Sequence, residues 1–349
     1  MKKRVLHLLS SNSYSGAESV AFNIIKSFEE SYYSVYVSPE GPIEDQLKHN
    51  NIPYIPLKKM NPFYVSRIIR EWKPDIIHAH DFRASIVSAA SIHNCHVVSH
   101  IHQNPHWLRK LNPFTLLYML SAIRYKNIIF VSKAIEREAI FTRLVKNRLH
   151  IVPNYVDIED VIEKSKLNND TLVSGQYDLA FIGRLVDVKD PLQFIQIVKA
   201  VASEKKNVRA VMVGEGDLKG QCTELIDRLE LNSTIDMVGF QRNPYSIISN
   251  SKIVVMTSKY EGFGLVAIEA MALGKPVFCS HVGGLKDTIV DNICIINVDD
   301  PTDSADSIIK VLSNDQLYNT ISSAVEQRIM ENNSKDRWKS SITRIYEDG

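Results

Sequence analysis

The sequence predicts an α/β protein made of two doubly wound parallel-sheet units in tandem. Short β-rich runs alternate with helical stretches along the whole chain, the pattern of a parallel sheet with helices on both faces. The alternation runs twice, on either side of a polar, aperiodic segment from Glu163 to Gln176 that reads as the linker. With 349 residues, 44% hydrophobic and 23% charged, the chain has the size of two domains and the composition of an ordinary soluble protein. The expected division is 1–165 and 166–333, followed by a terminal helix over 334–349.

In the first series the expected strands are Val5–Leu9, Ser34–Val37, Tyr54–Leu57, Ile76–Ala79, His96–Ile101, Asn127–Val131 and His150–Val152. In the second they are Leu179–Ile182, Ala210–Val213, Ile235–Val238, Ile253–Met256, Val277–Cys279 and Cys294–Asn297. Helical stripes separate them: Val20, Ile24 and Phe28 fall at i, i+4 and i+8, and Trp338, Ile342 and Ile345 repeat the spacing near the end.

The most informative stretch is Val254–Val282. An apolar strand ending at Met256 leads into the turn Glu261-Gly262-Phe263-Gly264. Good helix formers from Leu265 to Leu273 follow, then Gly274 as a stop and Pro276-Val277-Phe278-Cys279 as the next strand. Such a crossover aims backbone N–H groups at whatever lies above the helix N-terminus, a ready anion site. Glu261 and Glu269 frame the turn. Carboxylates beside an anion site need another task, such as accepting hydrogen bonds from sugar hydroxyls.

This arrangement resembles the E-x7-E signature of retaining glycosyltransferases of family 4, which have the GT-B fold: two Rossmann-like doubly wound domains facing across a cleft. The resemblance implies that Glu261 contacts the donor sugar, that Glu269 binds the nucleotide ribose, and that Gly262, Phe263, Gly264 and Leu265 line the donor. It also implies a first domain that binds acceptor, a second that binds donor, and a terminal helix crossing back to the first.

Gly183-Arg184 through Asp190-Pro191 ends a strand and opens a helix, with Asp190 as N-cap and Pro191 at the first helical position. Arg184 and Lys189 thus stand on a loop at a strand's carboxyl end, where two cations can hold a diphosphate. The segment is similar to the family's phosphate motif. Val213-Gly214-Glu215-Gly216 is similar to its nucleotide turn, and Gly239-Phe240 to the segment that reads the base; a plain turn explains Gly214 equally well. After the first strand, Ser15-Gly16-Ala17-Glu18 resembles the family's GGxE turn with Ser15 in place of the first glycine, leaving Gly16 as the match.

His102 closes the strand that starts at His96. The resemblance implies that it lies near the reacting sugar. The groupings His78/His80/Asp81, His93/Cys95/His96 and His100/His102/His106 invite a zinc reading. Asp75–Asp81 resembles a strand end common in the family that needs no metal, so no metal is expected. Val131-Ser132 and Pro153–Asp157 look like family markers before the linker, with Tyr155 in place of the usual glycine and therefore structural.

Cys95, Cys222, Cys279 and Cys294 form no C-x-x-C pair and read as reduced thiols of a cytoplasmic protein. A net charge of +1 gives no basis for nucleic-acid binding. The apolar part of Met1–Leu9 is too short for a signal peptide and reads as the first strand. No run approaches the ~20 apolar residues of a membrane span. Pro105–Asn127 is unusual, with Leu111, Phe114, Leu116, Leu117 and Leu120 between cations. It reads as a buried helix or a dimer contact; peripheral contact with the inner face of a membrane is the other reading.

The resemblance implies transfer of a hexose or N-acetylhexosamine, with retention, from a nucleotide sugar to a glycan hydroxyl in polysaccharide synthesis. The co-substrate is expected to be UDP-linked, with no other cofactor, and the acceptor lipid-linked. An epimerase of the same fold would need acid and base carboxylates in the first domain, and none stand out. A non-catalytic binding partner would be expected to lack Arg184, Lys189 or Glu261. A dinucleotide enzyme would need G-x-G-x-x-G after the first strand, which Ser13–Gly16 does not supply.

Overall fold

The computed structural model describes residues 2–103, 105–167 and 176–348. Most of the expected linker, residues 168–175, lies outside them. Two compact units are present, one of Met1–Tyr155 with Lys335–Gly349 and one of Val156–Ser334. This division falls before the helix Ile158–Ser165, because that helix packs on Tyr245–Ser249 and Leu265–Ala272 of the second unit.

The first unit holds β1 (Arg4–Leu8), β2 (Tyr33–Pro39), β3 (Tyr54–Leu57), β4 (Ile76–Ala79), β5 (His96–Ile101), β6 (Asn127–Phe130) and β7 (Leu149–Ile151). All pair in parallel, in the order β3-β2-β1-β4-β5-β6-β7. The second unit repeats the plan with β8 (Tyr177–Ile182), β9 (Ala210–Val213), β10 (Ile235–Gly239), β11 (Ser251–Met256), β12 (Val277–Ser280) and β13 (Ile295–Ile296). Its order is β10-β9-β8-β11-β12-β13, again all parallel. The central strands are buried on both faces, which is why they read as unbroken apolar runs: Leu179, Val211, Val254 and Phe278 are all fully buried.

The helix Lys335–Glu347 belongs to the first unit. Trp338, Ile342, Ile345 and Tyr346 are buried, Trp338 against Phe28, while the Tyr346 hydroxyl meets His78 Nδ1 at 2.6 Å. The Tyr155 ring packs at a tilt 5.4 Å from that of Trp338, and its carbonyl accepts from Asn23, the structural role expected where the family carries glycine.

The expectation of a buried helix within 105–127 is overturned. Of helix Pro113–Ser121 only Thr115 and Tyr118 are buried, and Phe114, Leu116, Leu117 and Leu120 are exposed. An apolar segment must be covered to be buried, and this unit supplies cover for one face only. No described helix is long and apolar enough to cross a membrane.

Candidate functional site

In the second sheet the chain turns from β8 toward β9 on one side and returns to β11 on the other, so β8 and β11 are neighbours across a topological switch point. Open α/β sheets bind ligands at the carboxyl ends of such a pair. Arg184 and Lys189 follow β8, and Glu261 follows β11. Lys189 Nζ and Glu261 Oε2 form an ion pair although 72 residues separate them; their side chains are 22% and 14% exposed. Ser258 Oγ donates to the same carboxylate oxygen at 3.3 Å. Arg184 is exposed, and its guanidinium makes no hydrogen bond or ion pair among the described residues. The site therefore offers one neutralised cation and one free one.

Several contacts fix the Lys189 loop to β11. Asp190 sits in the left-handed region at φ 47°, caps the helix Pro191–Glu204 by accepting from Gln193 N at 3.3 Å, and has Pro191 next, as expected. Thr257 Oγ1 lies 2.7 Å from the Asp190 carbonyl and 3.1 Å from that of Lys189, and Lys259 N donates to Val188 O. Nothing in the sequence marked Thr257. Thr257→Val removes the single hydroxyl donor that these two half-buried carbonyls share and is expected to cost about 1–3 kcal/mol. An unchanged denaturation midpoint would remove Thr257 from the scaffold.

Glycines bring the turns together. Gly264 at φ 89° opens the helix Leu265–Ala272. The Glu261–Gly264 turn lies against Gly283-Gly284, where Gly284 N donates to Glu261 O at 3.0 Å. A Cβ at Gly283 would stand 1.9 Å from Glu261 O, and one at Gly284 2.5 Å from Gly262 O. Sequence reasoning passed over this pair, though a double glycine just past a strand end was a visible signal. On the other side, Gly214 N donates to Gly239 O at 2.8 Å, and a Cβ on Gly214 would meet Gly183 O at 1.8 Å. Close packing of neighbouring turns accounts for Gly214 and Gly239. Phe240 beside them is exposed, while Phe263 and Leu265 are half-buried.

Glu269 is partly accessible on its helix. Burial pushes its carboxyl up to about 7, against the pull of the Tyr245 hydroxyl donating at 3.2 Å and of the Lys164 charge.

In the first unit the alternation of β4 and β5 stacks histidines on one face. His78, His80 and His100 are fully buried beside His7 of β1, and His102 is half-buried. They form a chain of contacts: His7 Nδ1 to His80 Nε2 at 3.0 Å, His80 Nδ1 to His102 Nε2 at 3.3 Å, and His78 Nε2 to His100 Nδ1 at 3.1 Å. Burial holds His7 and His102 down to about 3, and the other three well below the ordinary range, so all five are neutral at pH 7. His7/His78/His80 and His80/His100/His102 each bring ring nitrogens within 4.8 Å of one another, sets that a divalent cation accepts. These differ from the groupings expected. Asp81 is turned away to accept from Ser10 N and Ala84 N, and Cys95 Sγ donates to Pro74 O. The His106 side chain lies outside the described residues.

Gly16 begins the helix Gly16–Ser27 with Ser15 as N-cap. Ser15 Oγ donates to the buried Glu18 carboxylate at 2.5 Å. The residue that departs from the family's glycine thus has a local partner, an S-x-x-E pairing.

Two Rossmann-like units of this topology, with a cationic switch point in the second, are the GT-B fold, and the protein is a glycosyltransferase. The chain belongs to glycosyltransferase family 4: the model described as Glycosyltransferase Family 4 matches residues 14–160, and that of Glycosyl transferases group 1 matches residues 157–328. An uncharacterized glycosyltransferase of Methanocaldococcus jannaschii is 27% identical over 290 residues, 73% of this chain and 70% of that one. The capsular polysaccharide biosynthesis glycosyltransferase CapM of Staphylococcus aureus is 26% identical over 231 residues, 62% of this chain and 60% of that one. Among solved structures, HepE of Anabaena in complex with UDP shares the fold with a TM-score of 0.84 over all of both chains, at 21% identity. It has also been solved with UDP and glucose, and with UDP-glucose.

Proposed function

We propose that this glycosyltransferase moves a hexose or N-acetylhexosamine from a UDP-sugar to a glycan hydroxyl, with retention and without a metal. The observation that carries the reading is the Lys189–Glu261 pair at the switch point, with Arg184, whose guanidinium has no partner among the described residues, on the same loop as Lys189. In the reaction the C1–O bond to the diphosphate breaks and a new C1–O bond forms to the acceptor on the same face. The acceptor proton passes to the leaving phosphate oxygen, so no side chain is required as base. Arg184 and Lys189 offset the charge that develops on the diphosphate, with backbone N–H groups of Gly264 and Leu265 at the helix N-terminus. Glu261 orients the sugar hydroxyls, Glu269 accepts from the ribose, and Gly183, Gly214 and Gly239-Phe240 shape the nucleotide's seat. Gly262 and Phe263 complete the donor turn. In the first unit, Gly16 and His102 are assigned to the donor phosphate and the sugar. The UDP complexes of HepE support the choice of nucleotide, and the name of CapM supports capsular polysaccharide as the product; the acceptor is proposed to be lipid-linked.

Ligand-detected NMR against UDP, GDP, ADP and NAD, followed by UDP-sugars without acceptor, tests the reading. Selective UDP binding with slow release of one sugar is expected; binding of NAD alone, or of no nucleotide, overturns it. Turnover is expected to survive EDTA, and a loss would sink the metal-free step.

The Glu269 assignment has a pH signature. A ribose hydroxyl donates more strongly to an ionised carboxylate than to the protonated acid, so UDP affinity is expected to fall as pH drops through about 7, the free protein's raised value. Glu269→Gln should flatten that dependence. The sign for stability is opposite. The folded state holds this proton more tightly than the ordinary 4.5, so the contribution is full below 4.5 and lost as pH rises through about 7.

A further inference from the structure

The first unit carries a surface that donor chemistry does not use. Eight of the seventeen large apolar side chains exposed among the described residues fall between Leu111 and Leu144. Exposed apolar residues scattered singly need no explanation, whereas a cluster does. Helix Pro113–Ser121 is capped by Asn112 and anchored inward through Thr115 and Tyr118, whose hydroxyl meets Ser99 Oγ at 2.8 Å. Its outward residues include Phe114 and Leu120, 65% and 67% exposed, and Ile123 just beyond is 76% exposed. The segment that carries Leu144, 70% exposed, lies alongside. Phe141 packs its ring 5.1 Å from Tyr118, Ile140 N donates to Leu108 O, and Arg148 donates to the carbonyls of Ala122 and Tyr125.

Charge decides what covers this face. Residues 105–148 contain nine Lys and Arg against two acidic residues, Glu136 and Glu138, whereas the whole chain has 41 against 40. Lys110, Arg124, Lys126, Arg143 and Lys146 are exposed around the apolar residues. A second copy meeting this face through a two-fold axis would bring positive charge against positive charge. A bilayer with anionic headgroups matches both properties at once, taking apolar side chains at its interface and cations at its phosphates.

We propose that the surface centred on helix Pro113–Ser121 docks the protein on an anionic membrane, with Phe114, Leu116, Leu117 and Leu120 entering the headgroup–acyl boundary. The docking goes beyond the donor reading and does not depend on it, and a lipid-linked acceptor would be met there.

Co-sedimentation of the full chain with vesicles tests it, without nucleotide. The protein binds phosphatidylcholine–phosphatidylglycerol vesicles, and binding falls about tenfold or more with phosphatidylcholine alone or in high salt. The double variant Leu116→Ser/Leu120→Ser loses about tenfold or more of that binding. UDP binding and melting temperature are expected to stay unchanged, since both positions are exposed. Leu117→Trp gives a blue-shifted emission on the mixed vesicles. No binding to either vesicle, binding untouched by the double variant, or a self-associated species that the double variant disperses without any vesicle binding overturns the proposal. UDP binding that survives while vesicle binding fails condemns the docking face and leaves the donor site standing.

Discussion

Arg184→Ala is expected to lower turnover by about 10²–10³-fold, the range for losing one preorganised donor at a developing oxyanion. The folded protein should scarcely notice. Arg184 is exposed and holds nothing among the described residues, so its removal belongs with surface substitutions worth within about 0.5 kcal/mol. Arg184→Lys keeps the charge and loses the planar fork, and an intermediate rate is expected. Lys189→Ala should behave differently, because it also strips Glu261 of its partner. Turnover and the melting temperature then fall together. Rates measured as UDP release, beside thermal melts, separate the cases; a folded Arg184→Ala protein that turns over normally would end the assignment.

Gly283→Ala is expected to be among the most damaging small substitutions in the second unit, as the tightest one beside Glu261. Its backbone lies at φ 47°, and the added carbon would stand 1.9 Å from the Glu261 carbonyl. A side chain in the left-handed region costs on the order of 1–3 kcal/mol, and the overlap adds to that unless the turn moves. Moving the turn displaces Glu261, so turnover is expected to fall at least as far as in Glu261→Ala. The control is Gly220→Ala, inside the helix Lys219–Arg228 with open space around the new carbon. That change should be neutral or stabilising by up to about 1 kcal/mol. Equal melting temperatures for the two variants would show that the Gly283 contact constrains nothing.

The strands were legible almost to the residue, because a strand buried on both faces leaves a run of apolar residues that few other elements produce. Ile76–Ala79, His96–Ile101 and Ala210–Val213 match the expected bounds. The place of Arg184, Lys189 and Glu261 just past strand ends was legible from the alternation of strands and helices. The Lys189–Glu261 ion pair was not, since it depends on which strands are neighbours, and sequence order does not disclose that β8 lies beside β11. The histidine stack was hidden for the same reason: alternation puts His78 and His80 on one face, but only register sets them against His7 and His100. Thr257 carries no mark beyond its hydroxyl. Of the readings for Pro113–Ser121, the buried helix fails because composition states what a residue prefers, not what covers it.

The docking of Lys335–Glu347 bears on how the molecule is made. Its Tyr346 hydroxyl meets His78, and Asn127 donates to the Ile345 carbonyl at 3.1 Å, contacts that span 268 and 218 positions. On the ribosome, every residue of Val156–Ser334 is synthesised before this helix. The second unit, continuous in sequence, has all its parts in hand first, while the first waits with the seam over Phe28 and Tyr32 open. Domains generally fold in the order of synthesis; here the first unit cannot cover Phe28 and Tyr32 until a helix made after the whole second unit is supplied, so its completion is expected to depend on the later-made segment.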